Sequence, residues 1–176
     1  MRWNIAAGWG SHAGKGGAIY NAGEVVVGDT SSFAGNTAAE DGAAIFIHPT
    51  GTMTFLGFAT FKENKCYENK GGAIYNLGTL NLLGGSLFEG NVAASSGEGG
   101  SGGGIYNGGE GTVSFGGENT FDDNWGYKGG AIYNEPEAFL SPPEDGGDLV
   151  FENIRGTNCP GIYYEPVDSA DAVCGP

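Results

Sequence analysis

An all-β fold, a right-handed parallel β-helix of about six coils, is what this sequence predicts. Three observations predict it. The string Gly-Gly-Ala-Ile-Tyr-Asn occurs at residues 16–21, 71–76 and 129–134, and as Gly-Gly-Gly-Ile-Tyr-Asn at 102–107. A second motif, Phe-x-x-Asn, runs in phase with it at Phe33, Phe61, Phe88 and Phe121. Between the two lie alternating segments such as "TMTFLG" and "TLNLLG". A motif repeated at a fixed order marks repeated architecture rather than one catalytic loop.

Taken in order, each repeat begins with its glycine pair. Such a pair permits a turn with positive φ on entry to a strand. The Ile that follows defines a column: Ile19, Ile45, Ile74, Ile105 and Ile132, with Ile162 in the weaker copy "CPGIYY". The steps are 26, 29, 31, 27 and 30 residues, so insertions fall in loops between fixed strands. Next comes the alternating segment, β-branched and of period two, a strand signature. The Phe of Phe-x-x-Asn supplies a second core column. Asn36, Asn64, Asn91 and Asn124 are expected to stack at a corner, each amide bonding its neighbours and the turn backbone. No stretch sustains a helical period, and glycine, at 36 residues, is too frequent for helices. One repeat cannot bury its own apolar side; stacking repeats can. Six coils at about 4.8 Å each give a rod core of about 29 Å. The expected division is a repeat array over 1–164 and a C-terminal tail or cap over 165–176.

The aromatic column Tyr20, Phe46, Tyr75, Tyr106 and Tyr133 alternates out of phase with Ile and is expected to face outward. Tyr20, Tyr75, Tyr106 and Tyr133 are therefore the candidate binding surface. Cys159 and Cys174 are the candidate pair for a bridge tying the tail over the last coil, with Cys66 left out of it. No Asn-x-Ser/Thr sequon occurs.

The net charge of −14 argues against nucleic acid and anionic lipid as partners. No run of 18 apolar residues exists, so no helical membrane span is expected. No cofactor or metal is expected. The acidic insertion with Glu135, Glu137, Glu144, Asp145 and Asp148 matches no calcium loop, and the Cys spacing matches no zinc site. Asp122-Asp123 is a paired carboxylate, but adjacent strand residues point to opposite faces. Ser101 sits in a glycine-rich run with no following helix, which makes it a loop residue and not a nucleophile. Lys15, Lys70 and Lys128 each precede a glycine pair, and Asp41 and Ser101 fill the same column in the other coils, so they are turn residues. His12 and His48 have no carboxylate partner motif.

The Gly-Gly-Ala-Ile and Phe-x-x-Asn pair resembles the repeats of the chlamydial polymorphic membrane proteins. The resemblance covers residues 1 to about 164. It implies a right-handed β-helix, of the pectin-lyase-like architecture, and a surface-exposed adhesive or structural role without enzymatic activity. It implies an extracellular or cell-surface location, with an organelle lumen as the alternative. The implied partners are a protein or carbohydrate surface, or the other subunits of a larger assembly. Two other functions remain open. A polysaccharide lyase or glycoside hydrolase would need acid and base groups converging in a groove. A scaffold subunit would need a face buried against another chain. Ice binding would need a flat ladder of Thr or Ser, which the Tyr column is not.

Overall fold

The computed structural model describes residues 5–6, 14–67, 70–94, 99–143, 146–156, 161–164 and 173–175. Among them there is no helix. The strands of successive coils pair with their copies in parallel and in register, which makes a β-solenoid with three main sheets. The Ile sheet stacks Ile19–Asn21, Ile45–Ile47, Ile74–Asn76, Ile105–Asn107, Ile132–Asn134 and Ile162–Tyr164. The second sheet stacks Glu24–Val27, Thr52–Phe55, Thr79–Leu82, Thr112–Phe115 and Phe139–Ser141. The third stacks Ser31–Ala34, Ala59–Lys62, Ser86–Glu89, Asn119–Asp122 and Leu149–Glu152. A short corner sheet links the third sheet back to the first through Ile5–Ala6, Thr37–Ala38, Lys65–Cys66 and Val92–Ala93.

The core is built of like upon like. Ile74 pairs with Ile45 on one side and Ile105 on the other. The Phe61, Phe88 and Phe121 rings stack with centroids 4.6 Å apart. Phe55 meets Phe61 edge to face at 5.7 Å, so the second and third sheets lock together. The alternating strands bury every second residue: Met53 and Phe55, Leu80 and Leu82, Val113 and Phe115.

The six coils expected from the Ile column correct to about four full turns. The four are those with a complete Phe-x-x-Asn. In the next coil Phe151 stacks on Phe121 at 5.5 Å, but Ile154 takes the place of the corner Asn. From Asn124 onward the corner sheet gives way to isolated bridges, Trp125 with Val92 on one side and Arg155 on the other. The "CPGIYY" copy contributes only the strand Ile162–Tyr164. Val173–Gly175 then pairs with that strand antiparallel. The other residues of the expected cap, and the Cys159–Cys174 pairing, lie outside the described residues.

The glycine pair is required at both letters. Gly71 has φ 70°, and a Cβ there would lie 2.3 Å from the Ile74 carbonyl oxygen. Gly72 is needed for a different reason. A Cβ there would lie 2.1 Å from the carbonyl oxygen of Gly103, one coil on, and 2.6 Å from the carbonyl carbon of Val92.

The third letter of Phe-x-x-Asn is also left-handed. Gly35 and Gly90 have φ 64° and 63° there, while Glu63 and Asp123 adopt 53° and 51°. For a residue with a Cβ this conformation costs about 1–2 kcal/mol. Glu63→Gly is therefore expected to stabilise the protein by about 1 kcal/mol, after the entropy glycine adds to the unfolded chain. A denaturant titration reads the change as a higher midpoint at unchanged slope.

Candidate functional site

Three features stand out from the uniform stack: two asparagine columns, a covered aromatic ladder, and a notch at one short turn.

At the corner, the Asn64 Oδ1 accepts both the backbone N–H of Asn36, at 3.0 Å, and its Nδ2, at 2.9 Å. Asn91 Oδ1 does the same for Asn64, and Asn124 Oδ1 for Asn91. Each Nδ2 also donates backward, Asn64 to the Phe33 carbonyl, Asn91 to Phe61 and Asn124 to Phe88. All four side chains are buried. A second column ends the Ile strands. Asn76 Nδ2 donates to Asn107 Oδ1 at 2.8 Å, and Asn107 Nδ2 to Asn134 Oδ1 at 2.8 Å. The constant sixth letter of the repeated string, Asn21, Asn76, Asn107 and Asn134, is its signal in the sequence. Ile47 interrupts the column in the second coil.

The aromatic ladder lies outside the coil, but it is not an open surface. Tyr75, Tyr106 and Tyr133 stack at 4.9 and 4.8 Å. Tyr106 and Tyr133 are 1% and 4% exposed, whereas Tyr20 is 39% exposed. Of the candidate binding column, Tyr20 is exposed and Tyr75 half-buried, while Tyr106 and Tyr133 are covered. The cover comes from other coils. The Lys70 ammonium sits 4.4 Å from the Tyr106 ring centre and 3.7 Å from Glu135. The Tyr106 hydroxyl and the Gly109 N–H both donate to the Glu135 carboxylate. Burial pushes that carboxyl up, but the bonds from Gly109, Tyr106 and Lys70 outweigh it and hold it below its ordinary value. Burial also raises the Tyr75 and Tyr106 hydroxyls well above the usual phenol range. Further along, Lys15 lies over Phe46 and reaches Asp41 at 3.6 Å. Burial raises the Asp41 carboxyl, and Lys15 and Lys70 only partly offset this.

The residues weighed for catalysis do not converge. Asp122 accepts from Asn153 at 2.8 Å, and Asp123 pairs with Arg155 at 2.8 Å, each reaching into the next coil. Ser101 is buried in the bridge column between Lys70 and Lys128. His48 Nδ1 lies 3.0 Å from Thr50 Oγ1 in an exposed turn. His12, Glu144 and Asp145 lie outside the described residues. Among those described, no three His, Cys, Asp or Glu side chains gather as a metal site would require.

The notch follows from loop lengths. The second and fourth coils join the Ile sheet to the second sheet through four residues, His48 to Gly51 and Gly108 to Gly111. The third coil does so through two, Leu77 and Gly78. The shorter turn leaves a recess of about 320 Å³, lined by Pro49, Leu77, Gly78, Thr79, Gly109 and Glu110. Beyond it runs the outer face of the second sheet. There Thr52, Thr79 and Thr112 stand in register beside Thr54, Asn81 and Ser114.

The fold and these sites define a parallel β-solenoid repeat protein. The family model described as the Chlamydia polymorphic membrane protein repeat matches at residues 30–48, 59–77 and 120–135. Each match runs from the Phe strand through the corner and the glycine turn to the Ile strand, the same motif pair on which the resemblance rests. The chain thus carries repeats of this type. No curated protein and no solved structure matches it.

Proposed function

We propose that the chain is a non-enzymatic, adhesive or assembly module displayed at a cell surface. The repeat type and the solenoid fit a surface or structural repeat protein. One observation carries the finer reading. Charged side chains of the types that do acid–base chemistry are paired along the stack: Asp123 with Arg155, Lys15 with Asp41, Lys70 with Glu135. Lys62 likewise pairs with Glu89 at 2.7 Å. Groups tied between coils in this way stiffen a display surface. No helix among the described residues is long and apolar enough to cross a membrane.

The test is incubation with polygalacturonate and with neutral polysaccharides, with and without Ca²⁺. Retention on a glycan or cell surface, without unsaturated products or new reducing ends, is the expected result. Product formation that vanishes in Asp122→Asn or Asp123→Asn would overturn the proposal.

A further inference from the structure

We infer that the notch at the third coil is a binding site for a neutral glycan chain, which continues from it along the hydroxyl face of the second sheet. This rests on the surface-binding reading above and names the partner's chemistry. The recess sits at the lower end of the range for small-ligand pockets. Its lining has three kinds of group that a saccharide uses. Leu77 and Pro49 form an apolar wall suited to the C–H face of a pyranose ring. The exposed Glu110 carboxylate is an acceptor for paired sugar hydroxyls, and charge-assisted bonds of this kind are the stronger ones. Thr79 offers a hydroxyl that both donates and accepts.

The surrounding face narrows the choice. Over three coils its two outward columns hold four Thr, one Ser and one Asn, and no charged side chain. Both columns are half-exposed. The chain carries 21 acidic residues, so an uncharged face is a departure from the rest of the surface. No lysine or arginine lines the recess, which disfavours a uronate or a sulfated chain. Threonine, branched at Cβ, has restricted χ1, and the sheet holds these hydroxyls at a coil spacing of about 4.8 Å. An extended chain of repeating hydroxyl-bearing units complements such a row. Asn81 Nδ2 already bonds Thr54 Oγ1 at 3.1 Å, which fixes the amide for the next contact.

The loop-length origin of the notch supplies the experiment. Inserting Gly-Ser after Leu77 gives the third turn four residues, like its neighbours, and fills the recess. Surface loops tolerate such insertions, and a melting curve checks the fold. Laminarin, mannan and xylan are the neutral probes; polygalacturonate and polylysine are the charged ones. The expected result is binding to at least one neutral polysaccharide, weakened at least tenfold by the insertion and several-fold by Glu110→Gln and by Thr79→Val. Neutral glycan bound equally by the insertion variant would overturn the notch and leave the surface-binding reading standing. Binding of polylysine alone, lost in Glu110→Gln, would replace the glycan with a basic peptide and overturn the proposal. No binding to any surface, or turnover of a probe, would sink the broader reading with it.

Discussion

Gly72→Ala is expected to destabilise the protein by at least about 4 kcal/mol, beyond the range of ordinary substitutions. The added methyl would lie 2.1 Å from the Gly103 carbonyl oxygen and 2.6 Å from the Val92 carbonyl carbon. Both obstacles are backbone, so neither moves by a change of rotamer. Relief requires the third and fourth coils to part, and the bonds from Gly72 N–H to the Gly102 carbonyl and from Ala73 N–H to Gly104 part with them. Gly23→Ala is the matched control. A Cβ at Gly23 meets nothing within 4 Å, and its φ is not positive. It should be neutral or stabilising by about 0.4–1 kcal/mol through the unfolded chain. Equal effects from the two substitutions would refute the close-approach account.

Asn91→Leu is expected to cost about 3 kcal/mol, or roughly 6–12 °C in Tm. Leucine is close in size, so the cavity term is small. The loss is polar. The Asn64 N–H and Nδ2 lose their acceptor, and the Phe61 carbonyl and Asn124 Oδ1 lose a donor, all in a buried corner. Asn91→Asp keeps the acceptor for Asn64 but turns a carboxylate oxygen toward the Phe61 carbonyl and Asn124 Oδ1, both acceptors, in a fully buried corner. In its ionised form it should therefore cost at least as much as leucine, and less as falling pH adds a proton that can serve one of them. A melting midpoint for Asn91→Leu within a degree of wild type would show that the column carries no stability.

What the sequence disclosed follows from what its letters share between coils. The Ile and Phe columns and the alternating strands recur at constant order, so period alone places them in the core. What differs between neighbouring coils was not legible. The notch arises because Leu77-Gly78 is two residues shorter than the turns above and below it, and loop length says nothing about depth until the coils are stacked. The aromatic column lies outside the coil, yet Tyr106 and Tyr133 are covered while Tyr20 is exposed. Its cover is Lys70 from one coil and Glu135 from two coils on, and alternation within a strand carries no information about such long-range partners. The coil number was overcounted for a related reason. A motif such as "CPGIYY" marks a strand, while a turn also needs the Phe and Asn that follow.

The direction of the backbone hydrogen bonds has a mechanical consequence. They run from coil to coil, along the solenoid axis. Among the described residues, Ile5–Ala6 lies at one end of the stack and Val173–Gly175 at the other. Tension between the two ends therefore peels coils away in succession, rather than shearing whole sheets at once. Each coil of 26 to 31 residues would pay out about 90–110 Å of chain as it came free. A solenoid of this kind yields in steps under tension and absorbs work with each coil that comes free, while the remaining coils stay folded.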